Sequence, residues 1–333
     1  MLKSIKKIQN ISEQEEVLYS IVLNKIKETQ NLFNEVLSEK SNVSYEKFAN
    51  DMSKILDDLH KDVNLDSTDS KTLKKLQLFY RGSINYSFSH SLIGSRALGK
   101  PFGYPGDYIM LQSFYDSKEI SGDKLGNYLD KFILNDELAK SVLNRIDKMG
   151  DRVIEFINKS NLKEINILNI ASGSGFEFKK IIEKKFDKKV IYHCFDQEVS
   201  SLLFIDQNFS GKNENVEIRL YKEDVKAFFR NWKSDKKFDL IYNIGLADYL
   251  PDSILISLAN EAIKSLNDGG TFVISHKDYS LFAYHRISWF CDWNFIHRTL
   301  EEYKSTINSQ IDNDASIWFE SDKKIIYFLE HKK

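Results

Sequence analysis

The chain has 333 residues, with 47 Lys and Arg set against 49 Asp and Glu for a formal net charge of −2. At roughly 100 to 200 residues per domain two domains are expected, and so even a charge balance offers no global basic field for a nucleic acid. A hydrophobic share of 42% and an aromatic share of 13% are too rich in core-forming side chains for a disordered chain.

The first residues, Met1 to Lys7, are basic, but charged and apolar residues alternate after them. No unbroken apolar run of an export signal or membrane span follows. Ser12 with Glu15 makes a capping box, and Leu18, Val22, Ile26, Phe33 and Leu37 keep roughly one helical face. Tyr45, Phe48, Met52, Ile55, Leu56 and Leu59 predict a second helix, His60 to Lys71 a loop, and Leu73, Leu76, Phe79 and Tyr80 a third helix. Prolines and glycines then cluster between Gly94 and Gly106. Lys100-Pro101-Phe102-Gly103-Tyr104-Pro105-Gly106-Asp107-Tyr108 reads as a rigid, sharply turning loop, since proline fixes one dihedral and glycine permits positive ones. The expectation is that this segment, 94–108, presents two tyrosines and an acid and forms a lid; a simple turn between helices is the alternative. From Leu129 to Ile157 the apolar spacing is helical again, with a break or bend expected near Gly150.

At about Lys163 the periodicity changes. Short runs rich in Ile, Val, Tyr and Phe alternate with helical stretches: Ile165 to Ile170, Val190 to Phe195, Val216 to Tyr221, Phe238 to Ile244 and Thr271 to Ser275. Such alternation predicts successive βαβ units with a parallel sheet. Ser316 to Glu320 and Lys324 to Leu329 are joined by only Ser321, Asp322 and Lys323, so these two strands must be antiparallel. The predicted fold is α/β, a doubly wound, mostly parallel, seven-stranded Rossmann-like sheet over 162–333, preceded by a helical domain over 1–161. Five parallel strands closed by a hairpin is the layout of class I methyltransferases, whereas a dinucleotide-binding dehydrogenase more often ends with a sixth parallel strand.

The sharpest motif runs from Ile167 to Phe178, a buried strand entering a turn, Ala171-Ser172-Gly173-Ser174-Gly175, and then a helix. Glycine there lets a ligand approach the backbone. The third small residue of a hydride-transfer site is replaced by bulky Phe178. The second strand ends in Asp196-Gln197, where an acid can accept both ribose hydroxyls of a nucleoside. The third ends near Asp224-Val225, an acid and an apolar residue suited to an adenine amino group and ring, and the fourth ends in Asn243. Alternatively, Asp196 and Asp224 only cap helices.

These residues resemble the S-adenosylmethionine-dependent methyltransferases. The resemblance covers Ile165 to Lys333 and implies Ala171, Gly173 and Gly175 as the cofactor turn, Asp196 with Gln197 at the ribose, Asp224 with Val225 at the adenine, and Asn243 at the strand tip. Leu266-Asn267-Asp268-Gly269-Gly270 before the fifth strand belongs to it too. Ala171 and Asn169 depart from it, standing where the family often has a glycine and an acid, which implies a differently held methionine end. A narrower resemblance, carried by Gly99 to Tyr108, Ile244 to Leu250 and Asp292 to Arg298, is to the bacterial 3-hydroxypalmitic acid methyl ester biosynthesis methyltransferases. It implies a soluble, cytoplasmic enzyme making a fatty acid methyl ester or related product.

A carboxylate acceptor is nucleophilic at neutral pH and needs orientation; an amine or hydroxyl acceptor needs a base. Tyr104 and Tyr249 are candidates for the reacting site, His276 is either a base or a satisfied strand-end histidine, and Arg298 or Arg286 is suited to a bidentate grip on a carboxylate. Phe282, Trp289, Phe290, Trp293 and Phe295 could line an acyl tunnel or form ordinary core. Cys194 and Cys291 read as packing residues in a reducing compartment, and no residue spacing calls for a metal. The lysine-rich stretch 179–189 reads as a solvated helix face. The expected activity is methyl transfer from S-adenosylmethionine to a small-molecule acceptor, an acyl or other organic-acid carboxylate. Methylation of a protein or peptide side chain, or a cofactor-binding module without turnover, are the alternatives.

Overall fold

The computed structural model describes residues 12–64, 67–116, 121–225, 227, 230, 237–307, 311 and 315–333. The chain forms two compact units, one reaching to Asp136 and taking in Ala283–Asn294, the other made of Glu137–Phe282 and Phe295–Lys333.

The first unit is helical. Its opening helix, Glu13–Leu37, begins at the predicted capping box, with Glu15 N donating to Ser12 Oγ at 3.2 Å and Ser12 N to Glu15 Oε2 at 2.9 Å. The second helix, Tyr45–Val63, runs past the expected stop at His60 because Val63 completes the apolar stripe of Leu56 and Leu59. Left-handed Asn64, φ 51°, ends it. The segment expected as one loop from Gly94 is divided differently. Leu92–Gly99 is a helix capped by Ser91, and Gly94 is a packing glycine whose added Cβ would lie 2.4 Å from the Phe88 ring. The turn proper spans Lys100 to Asp107, and Asp107 is buried rather than presented. Its Oδ1 accepts from Arg96 Nε at 2.8 Å and from Ile109 N and Met110 N at 3.0 Å, capping the helix Tyr108–Asp116. Gly106, φ +71°, gives way to Trp293, whose ring an added Cβ would meet at 2.4 Å.

The break expected near Gly150 falls at Asn135–Asp136 instead, between helices Lys124–Leu134 and Glu137–Lys159. Gly150 lies buried within the second of these, which belongs to the sheet unit. Arg152 explains that placement: Nε donates to Glu330 Oε2 at 2.7 Å and its terminal nitrogen binds the other carboxylate oxygen, a bidentate tie to the last strand.

The second unit is built on β1 (Glu164–Ile170), β2 (Lys189–Asp196), β3 (Val216–Lys222), β4 (Phe238–Asn243), β5 (Leu266–Lys277), β6 (Ser316–Phe319) and β7 (Ile326–Lys332). They form one seven-stranded sheet in the order β3-β2-β1-β4-β5-β7-β6. β1 to β5 are parallel, and β7 runs antiparallel to both β5 and β6, the doubly wound architecture expected. In β1, Ile165 and Ile167 on one face and Leu168 and Ile170 on the other are all fully buried, as in a strand covered on both sides. Each such side chain contributes about 1.5–3 kcal/mol. The Leu266–Gly270 segment is the start of β5 rather than a lead-in. Phe238 pairs with Leu266 and Leu240 with Thr271, so Asn267 to Gly270 bulge out, helped by Gly269 at φ +77°. Strand order reverses between β1 and β4, and the crevice outside their carboxyl ends is where such sheets bind ligands. Among the described residues, no helix is long and apolar enough to cross a membrane.

Candidate functional site

The turn after β1 is held in a left-handed zigzag, with φ +55° at Ala171, +54° at Gly173 and +57° at Gly175. Two links fix it to the end of β2: Ser172 N donates to Phe195 O at 3.1 Å, and Gly173 N to Asp196 Oδ2 at 2.8 Å. Gly175 also makes room for Phe178, whose ring would stand 2.6 Å from an added Cβ. Phe178 is fully buried, edge-on to Tyr192 at 4.7 Å, so the bulky residue of the motif fills space under the turn.

Asp196 is buried, and its other oxygen accepts from Glu198 N at 2.9 Å. Burial pushes its carboxyl upward, against the backbone N–H groups of Glu198 and Gly173. The Ser201 side chain and the Gln197 N–H act in the same direction as those two groups. Gln197 is exposed beside it. Asp224 is exposed and caps the following turn, its Oδ1 accepting from Ala227 N at 2.9 Å, while Val225 is half-buried against the apolar core. Asn243 is fully buried and differently employed: it donates Nδ2 to Ile170 O at 2.8 Å and accepts from Ala247 N at 3.2 Å. One end of its amide staples β4 to β1, and the other holds the turn Leu246–Tyr249 that follows β4.

Beneath the turn lies a buried polar group whose members, Asn169 apart, the sequence reading passed over. Glu177 Oε1 accepts from Asn169 Nδ2 and from Tyr242 Oη, each at 2.7 Å. Burial pushes the Glu177 carboxyl upward. Asn169 Oδ1, Glu177 Oε2, Tyr192 Oη and Arg145 Nε, all buried, have no hydrogen-bond partner among the described residues. Arg145 comes from the helix Glu137–Lys159, its Nη1 3.6 Å from Asp248 Oδ2 and its guanidinium 3.3 Å from where a side chain on Gly245 would begin. Two signals were available in the sequence: Arg145 interrupts the apolar stripe of Leu138, Val142 and Met149, and Glu177 supplies an acid near the position that Asn169 leaves neutral.

At the other end of the edge, His276 is fully buried between the rings of Tyr303 at 4.6 Å and Tyr327 at 6.0 Å. Its Nδ1 donates to Lys277 O at 2.7 Å, so Nε2 is the acceptor for Arg298 Nη1 at 3.2 Å. Burial first of all lowers its pKa to about 4. The imidazole is neutral with no lone pair to spare, the satisfied strand-end histidine rather than a base. Arg298 is spent as well: Nε donates to Asp252 Oδ1 at 3.0 Å and Nη2 to Leu250 O at 2.8 Å. The grip expected on an acceptor is taken by Asp252. Arg286 likewise closes a bidentate pair, Nε and Nη2 each 2.7 Å from an oxygen of Asp57, which His285 also meets at 2.8 Å. Tyr249 is half-buried on the turn Leu246–Tyr249; Tyr104, also half-buried, belongs to the other unit. Cys194 and Cys291 are buried, their thiols pushed up, to about 12 for Cys291. Among the described residues no group of three or more His, Cys, Asp or Glu is placed to hold a metal ion.

No family model matches the chain, and no curated protein matches it. Its structure is similar to that of a possible exported protein from Bordetella parapertussis, with a TM-score of 0.53 at 11% identity over 95% of this chain and 96% of that one. It is similar also to the CurJ carbon methyltransferase, with a TM-score of 0.52 at 11% identity over 99% of this chain and 96% of that one. At this identity the likeness is one of fold, a seven-stranded, mostly parallel Rossmann-like sheet with flanking helices.

Proposed function

We propose that the protein transfers a methyl group from S-adenosylmethionine to a small acceptor, most specifically the carboxylate of an acyl or other organic acid. The observation that carries the cofactor reading is the bond from Gly173 N to Asp196, which sets the glycine turn after β1 beside a carboxylate at the end of β2, next to the switch point of the sheet. Asp196 takes the ribose hydroxyls, with Gln197 beside it, and Asp224 and Val225 take the adenine. The unpartnered atoms under the turn suit a zwitterion: Glu177 and Asn169 accept from an ammonium, and Arg145 Nε donates to a carboxylate. Asn243 acts one step back by fixing the edge on which the ligand lies.

When bound, the cofactor supplies an electrophilic methyl group on a sulfonium, open to in-line displacement. What the chain adds is alignment and exclusion of water, and alignment alone can be worth about 7–11 kcal/mol. A carboxylate acceptor needs no base, which accords with a β5 end whose histidine has no free lone pair. The acid itself is proposed from the resemblance in sequence.

Calorimetric titration with S-adenosylhomocysteine, with NAD as control, tests the reading. Micromolar binding is expected in the wild type, weakened about 10- to 150-fold in Asp196→Ala, as befits the loss of charged hydrogen bonds of about 1.5–3 kcal/mol. Binding of NAD and not of S-adenosylhomocysteine would sink it. Release of methanol from labelled product under mild alkali would mark an ester.

A further inference from the structure

Lys277, the last residue of β5, is 2% exposed. Its ammonium bonds to Asp248 and lies over two aromatic rings, Phe295 at 4.9 Å and Tyr249 at 5.6 Å. The same Asp248 carboxylate faces a second buried cation, Arg145, at 3.6 Å, and its Oδ1 has no hydrogen bond. His276 is neutral and Arg298 is answered by Asp252. Tyr303 and Tyr327 are phenols that burial keeps protonated, and Glu177, which Arg145 also faces, has its carboxyl pushed upward by burial against the pull of that guanidinium. Two buried cations thus face the Asp248 carboxylate, and burying a charge without a full partner is costly.

The aromatic wall extends outward from Lys277. Phe295 stacks on half-buried Phe282 at 6.0 Å and meets exposed His297 edge-on at 5.5 Å. His297 in turn stacks on Tyr279 at 4.8 Å. An ammonium at the inner end of a ring-lined surface suits a molecule with an anionic head and an apolar body.

We propose that Lys277 receives the carboxylate of the methyl acceptor, with the rings of Tyr249 and Phe295 packing the apolar chain behind it. The inference rests on the methyltransferase reading and gives to Lys277 the role that Arg298 and Arg286, both paired, do not fill. It carries a signature in pH. Burial, with Arg145 opposing Asp248, brings the Lys277 ammonium down to about 8. A bound carboxylate holds it protonated. Acid affinity is therefore full below pH 8 and falls about tenfold per unit above it, and binding in that range takes up a proton.

The test is calorimetry on the full chain saturated with S-adenosylhomocysteine, titrated with decanoate and with decanol as the neutral control, at pH 7 and 9 and in buffers of different ionisation heat. Expected are binding of decanoate in preference to decanol, proton uptake at pH 9, and at least tenfold weaker decanoate binding in Lys277→Met, with decanol and S-adenosylhomocysteine unaffected. Decanoate bound equally by wild type and Lys277→Met, or no better than decanol, overturns the proposal. Should the variant not fold, the wild type decides alone, since decanoate affinity that is the same at pH 7 and 9 overturns it. Failure of S-adenosylhomocysteine to bind would bring down the methyltransferase reading itself; its binding without discrimination for the acid brings down only Lys277.

Discussion

The two ends of the sheet's carboxyl edge are built on different principles. At β1 and β2 the site is made of backbone: three left-handed residues, an N–H tied to Asp196, and side chains beneath with atoms to spare. At β4 and β5 it is made of polar and charged side chains bound to one another, His276 to Arg298, Arg298 to Asp252, and Lys277 to an Asp248 that also faces Arg145. A backbone site is written in local sequence, since glycine spacing sets it. A side-chain site depends on partners far along the chain. The difference predicts that changes at the second end disturb stability first, and changes at the first end disturb ligand binding first.

The largest effect is expected at Asp248, buried between Lys277 and Arg145. Asp248→Ala strands both cations and is expected to cost about 3–5 kcal/mol in chemical denaturation. A cost under 1 kcal/mol would show that the cluster is open to water and that the contrast between the ends is overdrawn.

His276 gives the next effect, in pH. Its pKa is depressed from 6.5 to about 4 in the folded chain, so the unfolded chain binds a proton that the folded one refuses between those values. Stability is whole above about pH 6.5 and falls as the pH drops toward 4, by about 3 kcal/mol in all. In His276→Gln that part of the acid sensitivity should vanish. If the wild-type curve is flat over this interval, the histidine is not the sealed, neutral group described.

Much of this was legible in sequence and some was not, for definite reasons. The strands were legible because short runs rich in Ile, Val, Tyr and Phe alternate with helical stretches, and the turn because glycines at 173 and 175 follow the first of them. The helix break was misplaced because Gly150 looks like a breaker, yet a buried glycine inside a well-packed helix costs only about 1 kcal/mol. Gly94 misled similarly: its lack of a side chain serves contact with Phe88, not a turn. His276 and Arg298 had the right chemistry for catalysis, but the sequence could not say that they pair with each other and with Asp252. Asp107 carried the same ambiguity, and capping claimed it.

A smaller effect separates binding from stability at the first end. Glu177→Gln keeps an oxygen for Asn169 and Tyr242 and removes only the charge. Because burial raises this carboxyl above its ordinary range, the wild type loses stability as pH rises through that range. The variant should be more stable at neutral pH, by about 1 kcal/mol, and the two should converge on acidification. S-adenosylhomocysteine should bind it about tenfold less tightly, the ammonium having lost its anion. Stability and affinity moving down together would mean that Glu177 is a structural ion and no part of the ligand site.

The smallest effect tests whether the turn is strained for use. Of the three left-handed positions in the turn only Ala171 has a side chain, and at φ +55° its Cβ crowds the following carbonyl, at roughly 1–2 kcal/mol. Glycine there relieves the crowding but loosens the unfolded chain, which returns part of the gain. A net stabilisation of about 0.5–1 kcal/mol is expected in Ala171→Gly, a rise of some 1–3 °C in melting temperature for a chain of this size. Affinity for S-adenosylhomocysteine should stay within about twofold, because the turn is already held at Ser172 and Gly173 by β2. If instead stability rises while affinity drops tenfold or more, the methyl group of Ala171 is a contact of the ligand, and the first end too has a side-chain component that glycine spacing alone does not reveal.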